Sequence, residues 1–266
     1  VEGINRVASG AYEVGFADIN SLVKYRDDPR NIPVKAVMMV YDAPAFSIVT
    51  LKKTGIKSPR DLEGKTLGAP AADGAWAQWP IFVQANKIDA AKVKVDNIGF
   101  PVREPMLAQG RVDAITGFWF SSFMNLKASG VPHDEIVVLM MSDYGVDLYG
   151  NAIIANPEFM KFNPKAVAGF VRATIRGIKY ANDHPDEVAK IYVSYVPAIN
   201  LVAAKVGIEA AAERLWTEEA IEHGIGYMTD ARWSEVQDNL VKYLNLKEKS
   251  APEKLYTNQF LPGKVQ

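Results

Sequence analysis

Residues 56–69 read IKSPRDLEGKTLGA and combine a short helical turn with a strand. Ser58 and Pro59 are typical of a helix start, since serine caps a first turn and proline fits the first helical position. Gly64 is placed to close the turn, and the apolar run at residues 66–69 predicts a strand. Helical turns in alternation with short apolar strands indicate an α/β fold.

The same alternation extends along the first 155 residues. Strands joined by helices favour a mostly parallel sheet with helices on its faces. After residue 156 only helical patterns follow, so the C-terminal part is predicted to pack on a sheet that is formed earlier. The predicted strands are residues 13–17, 35–40, 46–51, 66–69, 94–98, 114–117, 136–140 and 151–155.

Residues 7–14 and 107–114 follow one pattern, in which a helix ends at Gly10 or Gly110 and a strand follows at once. Two similar strand–helix units of this kind favour two lobes. The first ten residues read as the end of a helix, which suggests that a preceding strand and helix are absent from this sequence.

The composition excludes several classes of protein. Apolar residues make up 48% and charged residues 23% of the 266, which excludes a disordered chain, a fibre or a coiled coil. The 30 Lys and Arg nearly balance the 31 Asp and Glu, and the net charge of −1 disfavours nucleic acid as a partner. Cysteine is absent, so disulfides, thiolate metal sites and cysteine nucleophiles are excluded. No apolar run approaches the roughly 18 residues of a membrane span.

Motifs for phosphate binding, serine hydrolysis and zinc proteolysis do not occur. His133, His184 and His223 each lie among polar residues or beside a proline, which favours solvated surface positions. The sequence therefore predicts no catalytic residue, no metal and no cofactor, and an enzyme would have to rely on carboxylates or lysines.

Aromatic and small polar residues follow several predicted strands, where open α/β sheets bind their ligands. Asp18 ends the first strand and is a candidate either for ligand binding or for capping the next helix. Asp73 is predicted to cap a helix over residues 74–86, where it would occupy the amides that could hold a simple anion. Trp76 lies in the first turn of its predicted helix and Trp119 in a strand-to-helix loop, where a ring can cover a ligand or pack in the core.

Two of the remaining rings are assigned to packing between helix and sheet. These are Trp79 and one of the pair Phe118 and Phe120.

Residues 56–68, the two helix–Gly–strand junctions and residues 149–154, YGNAII, resemble the periplasmic solute-binding proteins for nitrate, sulfonates, taurine and thiamine pyrimidine precursors. The likeness extends over nearly the whole chain. It implies an α/β fold of the two-lobed, venus-flytrap type II class, in which each lobe contains a mostly parallel sheet. Lobe I would comprise residues 1–51 and 142–266, and lobe II residues 52–141.

The resemblance also implies a receptor that binds a small molecule in a cleft and works with the membrane permease of an ABC importer. We expect a monomer, with its signal peptide removed, in the periplasm or lipid-anchored at the extracellular face. The ligand-binding residues implied by position are Asp18, Pro44, Ala45, Phe46, Ala72, Asp73, Gly74, Trp76, Trp119, Asp147, Tyr149 and Asn151.

Residues 71–74, AADG, contain less Ser, Thr and Asn than the matching helix start of sulfonate and taurine binders. This difference favours an organic ligand that is planar, aromatic or amine-bearing. Three alternatives remain: a receptor for sulfonate, taurine or nitrate; an enzyme on this fold with Asp18, Asp73 or Asp147 as base; and a sensor domain with a membrane partner. Pyrimidine synthesis by the cysteine-dependent relatives of this fold is excluded, because the chain has no cysteine.

Overall fold

The computed structural model describes residues 2–42, 44–146, 148–196 and 199–263. All eight predicted strands are present, each within one residue of its predicted bounds. The strands are β1 (Val14–Asp18), β2 (Lys35–Met39), β3 (Phe46–Leu51), β4 (Thr66–Ala69), β5 (Lys94–Asn97), β6 (Ala114–Phe118), β7 (Ile136–Met140) and β8 (Asn151–Ala155). The helices are α1 (Glu2–Ala8), α2 (Ile19–Arg26), α3 (Gly74–Ala77), α4 (Trp79–Ala85), α5 (Arg103–Ala108), α6 (Trp119–Ala128), α7 (Pro157–Phe162), α8 (Pro164–Asp183), α9 (Pro185–Tyr195), α10 (Leu201–Leu215), α11 (Glu218–His223) and α12 (Asp230–Leu244).

Local signals determine where several of these elements begin and end. Ser58 and Asp61 form a capping box around a short 3₁₀ helix, Pro59–Leu62. The helix predicted over residues 74–86 is divided into α3 and α4 at Gln78. Pro80 explains the division, because it has no amide hydrogen to donate within a continuous helix.

The two helix–Gly–strand junctions have the same geometry. Gly10 and Gly110 have φ angles of 77° and 71°, a left-handed conformation that favours glycine. Each amide donates to the carbonyl oxygen three residues earlier, that of Val7 at 3.1 Å or Leu107 at 3.0 Å. The prediction that glycine closes both helices is confirmed.

The chain divides into two compact units. Unit 1 comprises Val1–Pro44, Leu148–Asp183 and Ala212–Gln266, and unit 2 comprises Ala45–Asp147 and His184–Ala211.

Unit 1 contains a three-stranded sheet in the order β1-β8-β2, with β8 antiparallel to both neighbours. One apolar face of α8 packs on this sheet, since Val167, Val171 and Ile175 recur at helical spacing and are buried. The core of this unit consists of Val37, Met38, Ile153, Ala155, Val167, Val171, Ile175, Ile225 and Phe260.

Unit 2 contains a five-stranded sheet in the order β5-β4-β6-β3-β7. β4 is parallel to β5 and β6, whereas β3 is antiparallel to β6 and β7. Helices α5 and α6 contribute to a core that consists of Val49, Leu51, Leu107, Val112, Ile115 and Leu126.

The prediction of a mostly parallel sheet in each lobe is wrong with respect to strand direction. The sheet of unit 1 is antiparallel, and that of unit 2 is mixed. The difference comes from β3 and β8. Strand β3 belongs to unit 2 but follows β2 of unit 1, and β8 belongs to unit 1 but follows β7 of unit 2. Neither strand is therefore connected by a helical crossover to the preceding strand of its own sheet. Only strands connected by such a crossover within one sheet are required to run parallel.

The two units also differ from the predicted lobes. The prediction assigns residues 45–51 and 184–211 to lobe I, whereas the structure includes both segments in unit 2. Strand β3 is an internal strand in the sheet of unit 2, where its backbone pairs with β6 on one side and β7 on the other. Residues 142–146 also belong to this unit, since Asn86 Nδ2 donates to Tyr144 O at 2.9 Å.

None of the helices in the described ranges is both long enough and apolar enough to cross a membrane.

Candidate functional site

Asp18 stands at the end of β1 and caps α2. Its Oδ2 accepts a hydrogen bond from Ser21 N at 2.8 Å, and its Oδ1 accepts from Asn20 Nδ2 at 2.8 Å. Burial raises the pKa of Asp18, and the hydrogen bonds from Ser21 and Asn20 oppose that shift. Asp18 is therefore a positioned acceptor at a strand end, and its predicted capping role is confirmed.

Two asparagines beside Asp18 each have a buried amide oxygen with no hydrogen-bond partner among the described residues. Asn20 is only 1% exposed, and its Nδ2 also donates to Tyr149 O at 3.1 Å. Asn151 lies directly opposite Asp18 where β8 pairs with β1. A buried polar atom without a partner costs about 1–3 kcal/mol. The two Oδ1 atoms therefore mark positions where N–H or O–H donors of a ligand would be stabilising.

An aromatic pair lies on the same strand as Asp18. Phe16 precedes Asp18 by two residues, so both side chains point to one face of β1. The Phe16 side chain is 51% exposed, and its ring stands edge-on to Tyr41 with centroids 6.2 Å apart. Unit 1 thus presents an apolar ring surface next to its acceptors.

Tyr149 was expected at the ligand, but its ring is buried in the interior of unit 1. It packs edge-on against Trp233 at 5.7 Å, with the Arg232 guanidinium 5.4 Å from its centroid. The hydroxyl oxygen accepts from Thr229 N at 3.4 Å, and burial raises the pKa of Tyr149. Tyr149 contacts the residues beside Asp18 through its carbonyl oxygen, which accepts the hydrogen bond from Asn20 Nδ2.

Replacing Asp18 by asparagine is expected to change how stability depends on pH. The folded-state pKa of Asp18 is raised above its ordinary 3.8, so the folded protein binds this proton more tightly than the unfolded chain does. The free energy of unfolding contributed by Asp18 therefore falls as pH rises from the ordinary value through the raised one. Asparagine still caps α2 but does not titrate. Urea unfolding from about pH 3 to about pH 7 should show the variant gaining stability relative to the wild type.

Asp61→Asn is the matched control, because hydrogen bonds from Lys57 and Ser58 lower the pKa of Asp61. Its carboxylate contributes stability above its ordinary pKa, and that contribution is lost as the pH falls. The control should therefore show the opposite trend to Asp18→Asn. Parallel curves for Asp18→Asn and the wild type would contradict the assignment.

In unit 2, Asp73 caps α3 and is held by three neighbours. Its Oδ1 accepts from Ala75 N at 3.2 Å, and Thr116 Oγ1 donates to its Oδ2 at 2.6 Å. Arg103 Nη1 lies 3.7 Å from the same Oδ2. Burial raises the pKa of Asp73, and Thr116 and Arg103 oppose the shift. The predicted cap is confirmed, and the carboxylate also joins α3 to β6.

A buried charge network continues from Asp73 to α6. Arg103 donates from Nε and Nη2 to Glu104 Oε1 at 2.9 and 2.6 Å, and Ser122 Oγ donates to that oxygen at 2.9 Å. Gly117 leaves room for the network, since a Cβ there would lie 2.6 Å from Ser122 Oγ and 3.0 Å from Arg103 Cζ. The network therefore fixes α5, β6 and α6 relative to α3.

The tryptophans of α3 and α4 differ in exposure. Trp79 is 7% exposed, which confirms its predicted place in the core. Trp76 is half-buried and stacks on Trp79, with centroids 5.9 Å apart and an interplanar angle of 22°. Trp76 therefore has a ring supported from one side by the core.

A second group of rings ends at Trp119. Phe118 stacks on Phe46 at 5.6 Å and on Phe120 at 5.7 Å, and Trp119 stands edge-on to Phe120 at 6.1 Å. Trp119 N donates to Ala45 O at 3.0 Å. Its Nε1 is buried without a partner in the described part of the chain. Trp119 thus has a fixed backbone and an unused side-chain donor. Phe118 and Phe120 are both half-buried.

Gln78 is a residue that the sequence analysis missed. It is fully buried, and neither its Nε2 nor its Oε1 has a partner within the described ranges. An amide in this state offers one donor group and one acceptor to a polar ligand. The sequence could have indicated Gln78 through its position between Trp76 and Trp79, since a polar side chain between two large rings is unusual in a packed helix.

The predicted site residues fall into distinct environments. Asp18 and Asn151 come together in unit 1, and Asp73 and Gly74 share the start of α3 with Trp76 in unit 2. Pro44, Ala45, Phe46 and Tyr149 are buried, Trp119 is half-buried, Ala72 is exposed, and Asp147 lies outside the described residues.

Comparisons with known proteins agree on one family and one fold. A model of the NMT1/THI5-like family matches residues 1–188. The riboflavin-binding protein RibY of Chloroflexus aurantiacus is 26% identical over 94% of this chain and 71% of its own length. A formylaminopyrimidine-binding protein of Halalkalibacterium halodurans is 27% identical over 72% of this chain and 57% of its own length.

A further relative, from Legionella pneumophila, is named as a 4-amino-5-hydroxymethyl-2-methylpyrimidine phosphate synthase and is 25% identical over 64% of this chain and 53% of its own length. Among solved structures, the periplasmic aliphatic sulphonate-binding protein SsuA of Escherichia coli covers the whole chain and 82% of its own, with a TM-score of 0.75 and 12% identity. The predicted periplasmic binding protein fold is confirmed by this likeness.

Proposed function

Because the chain belongs to the NMT1/THI5-like family, we propose that it is an extracytoplasmic receptor that binds a small organic solute for an ABC importer. The solute is a planar molecule with several N–H or amine donors. The receptor acts as a monomer and passes the solute to a membrane permease. It is located in the periplasm or anchored by lipid at the outer face of the membrane.

The main support for this proposal is a group of hydrogen-bond acceptors in unit 1. Asp18 supplies a carboxylate, and Asn20 and Asn151 supply buried amide oxygens without partners in the described ranges. A solute with N–H donors satisfies such oxygens, whereas an inorganic anion would be repelled by the carboxylate. The group therefore favours a donor-rich solute over nitrate or a sulfonate.

The aromatic residues support a planar solute. Phe16 in unit 1 and Trp76 and Trp119 in unit 2 all have rings that are not fully buried. Stacking contributes about 0.5–1.5 kcal/mol for each ring beyond the burial of its area. The names of two relatives point the same way, because riboflavin and formylaminopyrimidine are planar nitrogen heterocycles.

A thermal-shift screen tests the proposal directly. The panel contains riboflavin, aminopyrimidines, aromatic acids, taurine, alkylsulfonates and nitrate, and each hit is confirmed by calorimetry. We expect the largest rise in melting temperature from the donor-bearing heterocycles. Stabilisation by the anions alone would contradict the proposal and favour an anion receptor.

The same samples distinguish a receptor from an enzyme. The protein is incubated with each hit, and the molecular mass of the recovered compound is measured by mass spectrometry. A receptor releases the compound unchanged. Conversion of any hit would instead support the carboxylate-based enzyme, with Asp18 or Asp73 as base.

A further inference from the structure

A cavity of about 400 Å³ lies within unit 2, beside α6, and is partly open to solvent, since Asn125, Ala128 and Tyr192 of its lining are exposed. Residues of α6 form one wall, and residues of α9, α10 and the segment before α10 form the other. A space of this volume is within the range of small-molecule sites, which is about 300–1,000 Å³. The lining residues are Phe120, Ser121, Met124, Asn125, Ala128, Tyr192, Ile199, Asn200, Ala204, Gly207, Ile208 and Ala211.

Three small residues on α10, namely Ala204, Gly207 and Ala211, keep this space open. Ala204, Gly207, Ile208 and Ala211 recur at helical spacing, so they share the face of α10 that lines the cavity. Among the described residues outside the backbone of α10, a Cβ on Gly207 would have only Met124 Cγ within 4 Å, at 4.0 Å. The two walls are therefore not in contact at this position, and a side chain at residue 207 would project into open volume.

The chemistry of the lining selects an uncharged ligand. None of the lining residues that the structure describes carries a charge, so an ion would lose hydration there without a charged partner among them. Phe120 and Tyr192 supply rings, and Met124 supplies a flexible thioether that adapts to irregular shapes. Ser121 Oγ already donates to Phe118 O at 3.1 Å, which leaves its oxygen as an acceptor for one ligand hydroxyl or N–H.

We propose that this cavity is a second binding site, for a small uncharged aromatic molecule, separate from the candidate site for the transported solute. Phe120 belongs both to the cavity and to the group of rings around Trp119. It lines the cavity, stacks on Phe118 at 5.7 Å and contacts Trp119 edge-on at 6.1 Å. A molecule in the cavity thus contacts the same ring that supports Trp119.

Calorimetric titration with 1-naphthol tests the proposal, because this probe is uncharged near neutral pH and carries one hydroxyl donor. We expect binding of one naphthol to the full chain. Gly207→Leu places a four-carbon side chain in the middle of one wall of the cavity and should weaken naphthol binding more than tenfold. Val206→Leu is the control, since Val206 is exposed on the same helix and does not line the cavity. This control should bind naphthol as the wild type does.

Two further variants test whether the leucine variant misfolds and whether naphthol binds at the proposed solute site. Gly207→Ala guards against a folding defect in the leucine variant, because its methyl group would be at ordinary contact distance from Met124. It should fold with a higher melting temperature and bind naphthol more weakly than the wild type. Trp119→Ala should retain naphthol binding, which separates this site from the proposed solute site. The proposal is overturned if the wild type does not bind naphthol, if the Gly207 variants bind it normally, or if only Trp119→Ala abolishes binding.

Discussion

Replacing Trp119 by alanine is expected to weaken binding of the solute more than tenfold while the chain still folds. Trp119 is half-buried at the start of α6, and its Nε1 has no partner in the described part of the chain. Loss of one stacked ring and one donor removes more than about 1.4 kcal/mol, which corresponds to a factor of ten in affinity. Calorimetry with the compound that gives the largest thermal shift measures the effect.

Two variants control for packing effects at Trp119. Trp119→Phe retains a ring without the donor and should recover part of the lost affinity. Trp216→Ala removes another half-buried tryptophan, whose Nε1 donates to Asn182 Oδ1 at 3.0 Å, and should leave affinity unchanged. Wild-type affinity in Trp119→Ala would assign this ring to packing alone.

Replacing Gly150 by alanine is expected to destabilise the protein by about 1–3 kcal/mol, through a steric clash with the backbone. The added Cβ would lie 2.7 Å from Tyr41 O and 3.3 Å from Pro44 Cα. Gly150 N donates to that same Tyr41 oxygen at 2.9 Å, and Gly150 O accepts from Ile19 N at 3.0 Å. The backbone therefore cannot move aside without breaking hydrogen bonds next to Asn151 and α2. Urea unfolding measures the loss.

Gly177→Ala provides the matched comparison. Gly177 lies within α8, and no described atom outside the neighbouring backbone of this helix lies within 4 Å of a Cβ placed there. Alanine is favoured over glycine in a helix by about 0.8–1 kcal/mol, so this variant should be more stable than the wild type. Equal effects at the two glycines would show that contact with Tyr41 does not determine the cost at Gly150.

The strands and helix ends were predictable because their signals are local. Most strands are short apolar runs, with the exposed β5 (KVDN) as an exception, and Ser58, Asp73, Gly10 and Gly110 act on neighbouring backbone atoms. Strand direction was not predictable in the same way. It depends on which strands meet, and β3 pairs with strands that begin more than 60 residues later in the chain.

Some residues of the candidate site were likewise predictable from local sequence, and others were not. Asp18 and Asp73 were identified from their positions after strands, whereas the importance of Asn20 appears only through its bond to Tyr149 O. The buried pair Arg103 and Glu104 was missed because charged residues at a helix start are ordinarily solvated. Their burial depends on contacts with distant segments, which a sequence pattern does not reveal.

The strand order has a consequence for the sequence in which the units can form during synthesis. All five strands of unit 2 lie between residues 46 and 140, so its sheet is encoded by one uninterrupted stretch of chain. In the part of the chain that the structure describes, β1 and β2 of unit 1 are joined in one sheet only through β8, which ends at Ala155. A ribosome-bound nascent chain therefore completes the strands of the second unit before the first unit can assemble its sheet, although the first unit begins nearer to the N-terminus.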